Sequence, residues 1–91
     1  MSLTNLTDVK VAGPGILTLS WEDGVTRDVD VSGWLTKHPL LRLLNAPEVF
    51  RDVALVEGGG GVEWANGADF SAEALRALSD EQHDSPTRQP A

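Results

Sequence analysis

Cysteine and tyrosine are both absent from this chain, and methionine occurs once. Without cysteine there is no disulfide framework, no thiolate metal site and no cysteine nucleophile. Long apolar runs are lacking too: the greasiest piece, residues 39–44 (PLLRLL), is short and carries Arg42, far from enough to span a bilayer. The chain opens Met-Ser-Leu-Thr with no basic segment, so the expectation is a cytoplasmic protein. Basic residues are scarce, seven against fourteen acids, for a net charge of −7. Phosphate binding runs on Lys and Arg displacing counterions. The seven are scattered along the sequence without a patch, so no direct contact with DNA is expected. Acidity instead suits a soluble protein, or one steered to a basic partner.

What is present fits one domain of modest core, since a chain of 91 residues buries only about 60% of its unfolded surface. Residues 7–11 (TDVKV) alternate weakly and predict a first strand. Gly13-Pro14-Gly15 suits a type II turn, with Pro and Gly at its two central positions. Residues 16–21 (ILTLSW) put Leu17, Leu19 and Trp21 on one face at period two. Glu22-Asp23-Gly24 closes a hairpin in which Gly24 supplies the positive φ. The return strand, residues 25–31, turns Val25, Val29 and Val31 inward and Thr26, Asp28 and Asp30 outward. A turn capped by Ser32 follows, then short helices over residues 39–44 and 47–50. Strands are predicted over residues 51–57 and 62–65, joined by the flexible glycine run 58–61.

The stretch VEWANGADFS, residues 62–71, ends the sheet. Trp64 points to the core, Asn66-Gly67 turns the chain, and Ser71 caps a helix over residues 72–78. Phe70 and Leu75 form a hydrophobic staple across that cap. Asp69 is left over, either bracing the turn by accepting backbone N–H bonds or facing a partner. Residues 80–91 are polar, hold two prolines and no large apolar side chain, and are expected to be a disordered tail. The predicted architecture is an α+β domain over residues 1–79. Its small antiparallel sheet has four to five strands, with short helices between the hairpin and the later strands and one C-terminal helix.

Little of this points to chemistry. The four glycines lack the Lys-Ser or Lys-Thr of a phosphate loop. His38 stands where it caps or packs a helix start, and His83 lies in the expected tail. No nucleophile–base–acid series is visible, and no His or carboxylate cluster has metal-ligand spacing. Neither cofactor nor metal is expected, and the chain is expected not to be an enzyme. Candidate partner-facing residues are Asp28 and Asp30, which share the outer face of a strand, with Trp34 and Asp69.

The pieces also form a recognisable series: aromatic-Glu-Asp-Gly at residues 21–24, Val-Asp-Val-Ser at 29–32, and Trp-x-Asn-Gly-x-Asp-Phe-Ser-x-x-x-Leu at 64–75. The series resembles a family of small bacterial proteins catalogued as domain of unknown function 2442, over about residues 5–78. The resemblance implies an α+β fold without established enzymatic activity. It also implies a proposed toxin–antitoxin pairing with the product of an adjacent gene, and in some members an added helix-turn-helix domain, which this chain lacks after Leu78. The expected role is therefore a non-enzymatic protein-interaction module, antitoxin-like in a two-gene pair. The alternatives are a small metal-dependent enzyme using Asp28, Asp30 and Asp69, or an accessory nucleic-acid-associated domain. An exposed edge strand could pair two copies into a homodimer.

Overall fold

The computed structural model describes residues 5–84. It is an α+β fold in which two three-stranded antiparallel sheets replace the single sheet of four to five strands expected. The first sheet is a meander of β1 (Leu6–Gly13), β2 (Ile16–Trp21) and β3 (Thr26–Asp30). Its turns form as the sequence dictates. Gly15 sits at φ 73° and accepts from Val31 N–H at 2.8 Å, while Gly24 sits at φ 90° inside a loop closed by Trp21 N–H on Val25 O at 2.9 Å. The period-two pattern then buries Leu17, Leu19, Trp21, Val29 and Val31 almost completely.

Residues 32–36 make successive turns, Trp34 N–H to Val31 O and Leu35 N–H to Ser32 O. The capping acceptor is the Asp30 carboxylate, which takes Ser32 N–H at 2.9 Å, so Asp30 performs the duty predicted for Ser32. Two one-turn helices follow, α1 (Pro39–Arg42) and α2 (Pro47–Phe50), separated by a 3₁₀ turn over Leu43–Asn45. Each helix starts on proline, whose missing N–H costs nothing there. His38 caps α1, its Nδ1 accepting from Leu40 N–H at 3.2 Å.

The second sheet contains β4 (Ala54–Leu55), β5 (Gly61–Glu63) and β6 (Asp69–Ser71). The strand predicted over residues 51–57 shrinks to two residues because the helical turn overruns it: Arg51 and Asp52 N–H still bond back to Pro47 and Val49. The glycine run is a packed joint between the sheets. Gly59 sits at φ 80°, and a side chain there would collide with the backbone carbonyl of Leu6. Val62 and Trp64 both face inward, as the alternation predicts. Asn66-Gly67 makes the β5–β6 turn, with Gly67 at φ 95°.

Ser71 caps the last helix, α3 (Ala72–Asp84), accepting Ala74 N–H at 3.1 Å. This helix corrects the expected tail. Residues 80–84 are helical, and the remainder of the predicted disorder, residues 85–91, lies outside the described residues. Its polar side chains find partners along the outer edge of β3, where alternate backbone groups have no strand to pair with. Gln82 holds Asp30 at both ends, its Oε1 accepting from Asp30 N–H at 3.0 Å and its Nε2 donating to Asp30 O at 2.9 Å. His83 Nε2 donates to Asp28 O at 3.0 Å, and Arg27 donates to the fully buried Ser79 hydroxyl and to Asp80. His83 is therefore a helix residue clipped to a strand. No helix among the described residues is long and apolar enough to cross a membrane.

Candidate functional site

The stretch of residues 62–71 divides cleanly between packing and turn geometry. Trp64 is 3% exposed and donates its indole N–H to Phe50 O at 2.8 Å, with the two rings stacked at 5.7 Å between centroids. Phe70 lies edge-on to two indoles, Trp34 at 4.7 Å and Trp64 at 5.6 Å. Those contacts, added to the predicted staple partner Leu75 in the same core, pack Phe70 of β6 between the turn that holds Trp34 and the end of β5. Asn66 braces the turn, its Oδ1 accepting Ala68 N–H at 3.0 Å and its Nδ2 donating to Leu40 O at 3.4 Å. Asp69 does not do so; it stands exposed on β6, directly opposite Glu63 on β5.

The four partner-facing candidates do not form one site. Asp28 accepts the Thr18 hydroxyl at 2.6 Å. Asp30 is held below the ordinary carboxylate pKa by the Ser32 side chain and then the Ser32 N–H. Both are exposed as expected, yet each has a local duty. Asp30 and half-buried Trp34 do meet at a shallow cleft completed by Lys37, Leu78 and Gln82. Asp69 stands apart with Glu63, two like charges facing each other across a hairpin. Asp23 serves structure: its carboxylate accepts Val25 N–H at 3.2 Å and pairs with Arg76 at 3.0 Å. The Arg76 guanidinium, first, and then that N–H keep the Asp23 pKa low. Among the described residues, no group of three or more His, Asp or Glu is placed to hold a metal ion.

Two features escaped the sequence. The first is a groove of about 430 Å³ between the β1–β2 turn and the α1–α2 segment. Val11, Pro14, Leu44, Pro47 and Phe50 line it, with Arg51 among its walls. The second is the placement of positive charge. Lys10, Arg27 and Arg76 are engaged with Asp8, Asp80 and Asp23. Lys37, Arg42 and Arg51 are exposed and, among the described residues, have no carboxylate within ion-pair distance. All three lie in residues 37–51, where Glu48 is the single acid. The arm of short helices is thus locally basic on an acidic protein.

The family model "Protein of unknown function (DUF2442)" matches residues 6–81. The chain belongs to the DUF2442 family. No curated protein matches it. Among solved structures, a crystal structure from Nitrosomonas europaea described as a "Putative DNA Binding Protein" is 34% identical, with a TM-score of 0.78. The match covers 87% of this chain and 50% of that one, so this DUF2442 chain spans about half the neighbour's length.

That neighbour overturns the expectation of no direct DNA contact, because its printed name assigns it DNA binding. The expectation rested on net charge. Counterion release depends instead on the cations that meet phosphate locally, and among the described residues of this DUF2442 chain those not bound in ion pairs all fall within residues 37–51.

Proposed function

We propose that this chain is a non-enzymatic binding module of a DNA-associated protein or assembly, with the arm of residues 37–51 turned toward phosphate. The observation that carries the reading is the segregation of charge among the described residues: three exposed cations against one carboxylate on the arm, while Lys10, Arg27 and Arg76 are engaged in ion pairs. A neighbour of 34% identity bearing a DNA-binding name supports it. The short helices suit the role, since Arg42 ends α1 and Arg51 caps the end of α2, each on a proline-started turn.

The test is fluorescence anisotropy of a labelled mixed-sequence duplex across a salt series. Three phosphate contacts give a slope of log K against log salt of about −2.7, so binding weakens roughly 40-fold between about 50 and 200 mM salt. Removing one cation, by Arg42→Gln for example, reduces the slope by about one. The triple variant Lys37→Gln, Arg42→Gln, Arg51→Gln abolishes binding. Equal binding by the wild type and the triple variant would sink the reading, as would no binding at the lowest salt.

A second reading is favoured by the acidity outside the arm. There the module meets a basic protein, antitoxin-like, within a two-gene pair, through charge complementarity. It takes over if DNA stays unbound while co-expression with the paired gene's product yields a copurifying complex and relieves a growth defect.

A further inference from the structure

The groove between the β1–β2 turn and α2 is built to a degree that an incidental surface dent is not. Beneath it lie Leu44 and Phe50, core residues 1% and 2% exposed, so the groove rests on the packed core while its open surface comes from Val11, Pro14 and Pro47. Its two walls are stiff. Pro14 fixes one and Pro47 the other, each with its φ locked by the ring. The Pro14 wall is anchored by the bond from Val31 N–H to Gly15 O at 2.8 Å. It also approaches residue 32 so closely that a Cβ on Gly15 would stand 2.9 Å from the Ser32 Cβ. A preformed apolar cavity of about 430 Å³ lies within the size range of small-molecule sites, and rigid walls spare a ligand the ordering cost of binding.

One wall residue carries charge. Arg51 is part of the lining, and no carboxylate among the described residues lies within ion-pair distance of it, on a protein whose net charge is −7. An apolar chamber with a single uncompensated guanidinium selects a ligand with an apolar body and one anionic head. Guanidinium and carboxylate match as a planar fork and a two-oxygen acceptor. We infer that this groove is a binding site for a small apolar carboxylate, seated between Val11, Pro14 and Pro47 with its carboxylate on Arg51. The inference goes beyond the phosphate-facing role of the arm and is tested without DNA.

The probes are 4-phenylbutyrate and its uncharged counterpart 4-phenyl-1-butanol, titrated into the ¹⁵N-labelled chain and followed by two-dimensional NMR. Amide shifts are expected at the groove, among Val11, Gly13, Gly15, Ser32, Asn45 and Arg51. Arg51→Gln is expected to lower the acid-to-alcohol affinity ratio by about threefold or more, the scale of an exposed ion pair, and to leave the alcohol unaffected. Val11→Glu, at a position 37% exposed and so compatible with folding, is expected to weaken both probes. Spectra that superpose away from the groove show that each variant is folded. Shifts that are absent or spread over other surfaces overturn the inference. So does an acid-to-alcohol ratio that survives Arg51→Gln, or unchanged binding by Val11→Glu.

Discussion

Two indoles of nearly equal burial show how much a single polar atom decides. Trp64 and Trp21 are 3% and 2% exposed, yet Trp64 donates to Phe50 O whereas the buried Trp21 N–H has no partner among the described residues. Trp21 has instead the Arg76 guanidinium over its ring at 5.2 Å. Trp64→Phe leaves the Phe50 carbonyl without its donor, a loss of about 1–3 kcal/mol on top of lost packing. Trp21→Phe removes an N–H that had gained nothing. Urea denaturation is expected to show Trp64→Phe as the more destabilising change by about 1–2 kcal/mol; equal losses would refute the distinction. Two carboxylates make a second prediction. Asp23 and Asp30 titrate below the ordinary value of 3.8 when folded. Their stabilisation is therefore fully present above the unfolded pKa and is lost as pH falls through the depressed folded values. The urea midpoint should change little between about pH 7 and 5 on their account and drop below about pH 4. Replacing both with Asn should flatten that acid limb.

At the scale of elements, the N-terminal hairpin was fully legible because its signals are local: alternating apolar residues, Pro-Gly and Asp-Gly turns. The cap at Ser71 and the inward Trp64 were legible for the same reason. Strand β6 was not, since Asp69-Phe70-Ser71 is three residues long and its pairing with β5 depends on a neighbour across the turn. The last turn of α3 was misjudged as tail on composition alone. Its polar residues are ordered by backbone groups on β3, with Gln82 meeting Asp30 across 52 positions of sequence. Gln82 stands in for the missing fourth strand and blunts an edge that could otherwise pair with another chain. Gln82→Ala is expected to cost about 1 kcal/mol and to speed exchange of the Asp30 amide. Glu81→Ala, one position away and exposed, is expected to change neither. If Asp30 exchanges at the wild-type rate in Gln82→Ala, the edge is protected by something else.

The candidate site belongs to the whole molecule, and for that reason little of it could be read in one dimension. Its groove joins residues 11–15 to residues 44–51, two loops that only the packing brings together. Its cations look scattered in sequence and stand out only once Arg27 and Arg76 are seen to be occupied by α3 and the hairpin. The domain also depends on how its two sheets are joined, because they share no ladder. They meet where β1 packs on β4 and through the common core, and the tightest approach is that of Gly59, in the glycine run, to Leu6. Gly24 and Gly59 both have positive φ, 90° and 80°, but a Cβ on Gly24 meets open space whereas one on Gly59 meets the Leu6 backbone. Gly24→Ala therefore carries conformational strain alone, about 1–2 kcal/mol. Gly59→Ala carries that strain plus a collision with the Leu6 backbone that the glycine run or β1 must move to relieve, about 3 kcal/mol or more in total. Hydrogen exchange locates the damage. In Gly59→Ala, amides of β1 at Leu6 and of β5 at Val62 should lose protection together, since the glycine run that leads into β5 is wedged against β1. Loss confined to β4–β6, or a cost no greater than that of Gly24→Ala, would mean that the sheets are held together elsewhere.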